Sequence, residues 1–214
     1  MNLESAFIHS CNTYFGVMST RLGGTALSQY AKNFLYNTDF NFSDFLLYSS
    51  QFESSDNLGD VAWAGIGQYN DLITPMHNAM IAASIGNDGK MMEPKLLLDV
   101  FHGGNSVYTY SENTLTTTVQ FDTAEKLKQF MKETVLEGTG TSAQIDGYSV
   151  CGKTGTAEYV EDDETKNHSW FVGFIEDNKH PIAISVILEG AGYGSAHAAP
   201  SAGDVLSYAI DLGY

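Results

Sequence analysis

Basic side chains are scarce in this chain: 10 Lys and Arg stand against 26 Asp and Glu, a formal charge of -16 over 214 residues. A surface so negative repels phosphate backbones and anionic headgroups, so nucleic acid is not expected as a partner. Cysteine is equally sparse. Cys11 and Cys151 make no disulfide framework and lack the paired spacing of a zinc site, so both are expected as packed thiols. The six histidines are scattered, with no HExxH and no other pair on one helical face, and neither a metal nor another cofactor is expected. No segment approaches the ~20 uninterrupted apolar residues of a membrane span, and the opening MNLESAF lacks the charged-then-apolar form of a signal peptide. Any export signal or anchor is therefore expected outside this chain.

What is present is the material of a globular core. Hydrophobic residues make up 43% and aromatics 12%, which distinguishes the chain from a disordered acidic segment, where chain entropy goes uncompensated. At this length one domain, or most of one, is expected. Apolar residues recur at helical spacing from Glu4 to Leu22 (Ala6, Phe7, Cys11, Phe15, Met18, Leu22), with Gly23-Gly24 as a stop, and a second helix is expected over Thr25 to Tyr36. Asn37 to Asp60 is rich in Asn, Ser, Asp and Phe and reads as irregular loop. Thr74-Pro75 caps a helix that Asn87-Asp88-Gly89 closes. A strand is expected over Pro94 to Phe101, one or two more within Ser106 to Gln120, and a helix from Asp122 to about Leu136. Three strand-like segments follow, YSVCGKTGTAEYV, HSWFVGFIE and PIAISVILE, joined by polar turns as consecutive antiparallel strands are, and Pro200 to Ile210 closes the chain as a helix. The order indicates an α/β fold with an antiparallel sheet flanked by helices.

The chemistry concentrates at two places. Lys153-Thr154-Gly155-Thr156 sets a cation, two hydroxyls and a bare backbone position on an extended strand, where a carboxylate can bind and an outward N–H can stabilise an oxyanion. Far upstream, Ser10 and Asn12 stand two residues apart in HSCNTYF, where a helix end or tight turn can aim both polar tips into a cleft. HSCNTYF followed by CGKTGTAEY resembles the penicillin-binding transpeptidase family, whose S-x-x-K, S-x-N and K-T-G motifs converge on one site. The likeness extends over nearly the whole chain: GIGQYNDLITPMHNAMIAASIGNDGK is similar to the family's segment between the two motifs, EGTGTSA to its approach to the K-T-G strand, and HSWFVGF to its next strand.

The resemblance implies a β-lactamase/transpeptidase-like fold and a role for each matching residue. Ser10 would relay protons, Asn12 would hold the substrate's amide, and Lys153 would keep the local field positive. Thr154 and Thr156, around Gly155, would bind the carboxylate of a D-Ala-D-Ala stem peptide or of a β-lactam, and the Thr156 N–H would form half of the oxyanion hole. One motif is missing: no serine here has a lysine three residues later, and only nine residues precede Ser10. The domain is therefore expected to be partial over residues 1–214 and incomplete at its N-terminal side, with the serine nucleophile and the membrane anchor elsewhere in a parent protein on the extracytoplasmic face of a bacterial membrane. In the family the strand matching PIAISVILE pairs with an N-terminal strand, so a dimer or swap through an exposed sheet edge is expected.

Three other features are read as structural. Ser55-Asp56-Asn57 spells the S-D-N of some β-lactamases but stands in loop composition of the kind turns select. The run Glu161 to Glu164 reads as a solvated hairpin turn rather than a cation site. GYGSAH around Ser195 lacks the G-x-S-x-G of a nucleophile elbow. The resemblance implies part of a serine-type D,D-transpeptidase or carboxypeptidase that acts on peptidoglycan stem peptides; beside that reading stand a non-catalytic module that binds peptidoglycan peptides or a partner protein, and a β-lactam sensor or β-lactamase relative.

Overall fold

The computed structural model describes residues 1–53 and 55–214; part of the loop expected over 37–60, Ser54, lies outside the described residues. The N-terminal helix expected over Glu4 to Leu22 is in fact two. Helix α1 (Leu3–Ile8) is capped by the Asn2 side chain, and α2 (Asn12–Leu22) starts after Ser10, whose φ of 54° puts it in the left-handed region. Apolar spacing runs unbroken through this interruption because both helices turn their aromatics to one cluster, where the Phe7 and Phe15 rings meet edge to face at 6.5 Å. That is why periodicity alone could not reveal the break. Helix α3 (Gly24–Asn33) ends earlier than expected, because Leu35 also adopts a left-handed φ, of 65°.

The segment read as irregular carries a minimal hairpin, β1 (Phe40–Asn41) with β2 (Leu46–Leu47), and at its end a short helix, α4 (Leu58–Ala64). Asn57 caps α4 by accepting hydrogen bonds from the N–H groups of Gly59 and Asp60, which gives Ser55-Asp56-Asn57 its structural purpose. Helix α5 (Pro75–Gly86) begins as expected, with the Thr74 hydroxyl accepting from His77 N. His77 is fully buried and stitches three segments: its ring nitrogens lie 2.7 Å from Ser50 Oγ and 2.7 Å from the Phe34 carbonyl. Burial lowers its pKa and so favours the neutral ring.

Strand β3 (Lys90–Met92) is followed by β4 (Asp99–His102), β5 (Asn105–Thr109) and β6 (Thr114–Thr117), with β3 paired to β6 and β4 to β5. The strand expected from Pro94 shrinks to β4 for a local reason. The Asp44 carboxylate takes the N–H groups of Leu96 and Leu97, which are then no longer free for a ladder.

After helix α6 (Phe121–Leu136) and a 3-10 turn (Thr141–Ala143) come β7 (Val150–Glu161), β8 (Glu164–Ile175), β9 (Ala183–Leu188) and helix α7 (Ala198–Asp211). The three strands form an antiparallel sheet in the order β7-β8-β9. Alternation divides its side chains between two cores. Val150, Phe171, Ile175, Ile184 and Val186 face α7, while Cys151 and Phe174 face α5 and α6. The β7–β8 turn is tight: Asp162 and Asp163 both take positive φ (51° and 61°), as a two-residue type I′ connection requires. The acids of Glu161 to Glu164 are solvent-exposed there, with Glu161 paired to Lys166 at 2.7 Å. Among the described residues no strand pairs with the outer edge of β9, and no helix is long and apolar enough to cross a membrane.

Candidate active site

Strand β7 is the other edge of the sheet, and its residues 153–156 lie along that rim. Lys153 and Gly155 share the α5/α6 face with Cys151, whereas Thr154 and Thr156 share the α7 face with Val150. Lys153 is partly buried beside α1. Its Nζ lies 5.9 Å from the centre of the Phe7 ring and donates to Ser10 Oγ at 2.9 Å and to the Thr154 carbonyl at 3.0 Å. Desolvation pushes its pKa down from 10.5 to about 8. The ammonium is therefore charged at neutral pH yet within reach of losing its proton.

Ser10 reaches this point through the left-handed turn that separates α1 from α2. The turn is fixed by two backbone bonds, Ser10 N to Phe7 O at 3.1 Å and Cys11 N to Ala6 O at 2.9 Å. Asn12 opens α2 and is exposed; its side chain makes no hydrogen bond among the described residues. The structure thus joins Ser10 to Lys153 and leaves Asn12 free-ended on the same turn.

Thr154 and Thr156 are each held from outside the strand. Thr154 Oγ1 is 2.6 Å from Thr139 Oγ1, in the segment between α6 and the 3-10 turn. Thr156 Oγ1 accepts from Gly194 N at 3.4 Å, and its carbonyl accepts from Gln68 Nε2 at 2.9 Å. In an antiparallel pair the N–H and C=O of one residue point to the same side. A carbonyl taken by Gln68 therefore means that the Thr156 N–H also points away from β8, towards the open rim. Gly155 is bare for packing as well as access, since a Cβ there would come 3.2 Å from Trp170 Cβ across the ladder. The following loop presses equally close: a Cβ on Gly194 would lie 2.4 Å from the Gly155 carbonyl.

Thr139 and Gln68 were not among the residues singled out from sequence. Both lie in quoted segments, EGTGTSA and GIGQYNDL, but nothing local marks a side chain that reaches a strand 88 positions away, as Gln68 does. Of the cysteines, Cys151 is completely buried and its thiol is pushed up to about 12, which makes it inert; Cys11 is half-buried. Among the described residues no group of three or more His, Cys, Asp or Glu side chains is placed to hold a metal ion.

Comparison with known proteins resolves the family. The model of the penicillin binding protein transpeptidase domain matches residues 1–207. The chain belongs to that family. Among curated relatives, the peptidoglycan D,D-transpeptidase PbpA of Mycobacterium tuberculosis is 29% identical over 98% of this chain and 44% of its own length. PbpA of Mycolicibacterium smegmatis is 30% identical over 94% of this chain and 42% of its own. Among solved structures, penicillin-binding protein A of M. tuberculosis as a ceftriaxone acyl-enzyme complex superposes with a TM-score of 0.90 at 27% identity, covering 100% of this chain and 48% of that one. The D,D-transpeptidase domain of a peptidoglycan glycosyltransferase from Eggerthella lenta gives 0.88 at 28%, covering 99% and 54%. The transpeptidase-domain fold, α/β with an antiparallel sheet between helices, is thus the fold of this chain, which spans less than half the length of the PbpA relatives.

Proposed function

We propose that this chain is the carboxylate-binding and proton-handling part of a penicillin-binding D,D-transpeptidase. The enzyme cross-links peptidoglycan stem peptides through a serine acyl-enzyme, and β-lactams occupy the same site. The observation that carries this reading is the 2.9 Å bond from Lys153 Nζ to Ser10 Oγ, which joins two motifs 143 positions apart at one point. The relatives named above are D,D-transpeptidases, and one was captured as a β-lactam acyl-enzyme, which favours an enzyme over a sensor or a passive module.

In the proposed reaction a serine attacks the penultimate D-alanine carbonyl, D-alanine leaves, and an amine of a second peptide resolves the acyl-enzyme. Thr154 and Thr156 hold the terminal carboxylate under the field of Lys153. Asn12 takes the substrate amide, and the Thr156 N–H meets the developing oxyanion; removing such a donor costs about 2.7–4 kcal/mol of transition-state stabilisation. Ser10, already hydrogen-bonded to Lys153, passes a proton between the nucleophile's surroundings and the leaving amine. The nucleophile is assigned to an S-x-x-K serine outside these 214 residues, in a parent protein anchored on the outer face of the cytoplasmic membrane.

The test is an NMR titration of the isotope-labelled chain with an acetylated stem peptide ending in D-Ala-D-Ala. Shifts should cluster at residues 10–12 and 153–156. A titration that perturbs neither segment contradicts the assignment.

A further inference from the structure

We propose that Thr139 is a positioning residue of the carboxylate site: its hydroxyl donates to Thr154 and thereby turns the Thr154 proton outward onto the bound carboxylate. The inference rests on the reading that Thr154 binds that carboxylate.

The two hydroxyl oxygens are 2.6 Å apart and share one hydrogen bond, in which either can be the donor. A hydroxyl has a single proton. If Thr154 spent its proton on Thr139, it would face an anion with lone pairs only, and the contact would be repulsive. If Thr139 donates instead, the chain runs from Thr139 through Thr154 to the carboxylate, and each bond polarises the next. An arriving anion selects the second arrangement, provided that Thr139 is already in place.

The backbone holds it there. Thr139 N donates to the Ile8 carbonyl at 3.3 Å, and Gly140 N donates to the Thr134 carbonyl at 3.0 Å. Gly138 lets the chain pass this close to α1: a Cβ there would stand 2.4 Å from the Ile8 carbonyl oxygen and 2.8 Å from Ile8 Cγ2. Residues 138–140 thus form a strap pinned to the end of α1, two residues before Ser10, and to the last turn of α6. Through its one hydroxyl the strap fixes the β7 rim relative to the Ser10 turn.

The experiment compares two ligands, an acetylated stem peptide ending in D-Ala-D-Ala and the same peptide with its C-terminus amidated. Dissociation constants are read by NMR for the wild-type chain and for Thr139→Val, Thr139→Ala and Thr139→Ser. The wild type should prefer the free carboxylate. Thr139→Val and Thr139→Ala should each lose about ten-fold of that preference, the share of one charge-assisted hydrogen bond, while Thr139→Ser keeps it. General loosening of the fold weakens both ligands alike and leaves the ratio unchanged, and two hydroxyl-free variants keep the test open if one folds poorly. An unchanged ratio in a folded hydroxyl-free variant overturns the role of Thr139 while the carboxylate site stands. A wild type without preference overturns the carboxylate reading, and this inference with it.

Discussion

Lys153 is held by a hydroxyl and a carbonyl, and among the described residues it has no carboxylate partner. Its charge is therefore available to a ligand, at a cost to the fold. With the pKa lowered from 10.5 to about 8, the unfolded chain binds the proton more tightly than the native one. The penalty is fully present below pH 8 and disappears as pH rises from about 8 towards 10.5. Two results should follow. Affinity for a carboxylate ligand should fall as pH rises through about 8, read as dissociation constants across that range; a flat profile would contradict the role given to Lys153. Lys153→Met should abolish that affinity yet make the chain more stable at neutral pH, by up to ~3 kcal/mol in denaturant unfolding, with the gain fading towards pH 10.5. Loss of stability on substitution would mean that the partly buried ammonium is compensated in a way the geometry does not account for.

At the scale of elements, β7 had the clearest signature in sequence, because its extended, turn-bounded segment shows both the strand and the K-T-G chemistry. Its register is locked by Gly152, where a Cβ would stand 2.2 Å from Cζ of the fully buried Phe171. Gly152→Ala should destabilise the chain by about 1–3 kcal/mol, seen as a lower denaturant midpoint at unchanged slope, because a packed core accommodates an added methyl poorly. A neutral effect would show that Phe171 has room to shift. Other elements were hidden for physical reasons. The break at Ser10 left the apolar spacing intact, and the Pro94 to Leu98 stretch lost its strand to the Asp44 carboxylate, a partner 52 positions away from Leu96. The candidate site divides in the same way. Ser10, Asn12, Lys153, Thr154, Gly155 and Thr156 could be named because their types and order resemble a family's motifs. Thr139 and Gln68 could not, since their contribution lies in long-range hydrogen bonds that leave no local pattern.

For the whole molecule, the outer edge of β9 has no strand partner among the described residues, although its side chains are half-buried and mostly apolar. Such an edge offers unpaired N–H and C=O groups to another chain. The 214-residue chain should therefore self-associate in light scattering, and Ile187→Lys, which places a charge on that edge, should shift it towards monomer; a wild type that stays strictly monomeric contradicts this. The central claim, that these residues hold the carboxylate site but not the nucleophile, is tested most directly by the intact mass of the chain after incubation with a reactive penicillin, with a denatured sample as control. No folding-dependent adduct is predicted, with a single acyl adduct appearing once a segment carrying the S-x-x-K serine is joined to the chain. A stoichiometric adduct on the folded 214-residue chain alone would place the nucleophile among its own serines and contradict the account.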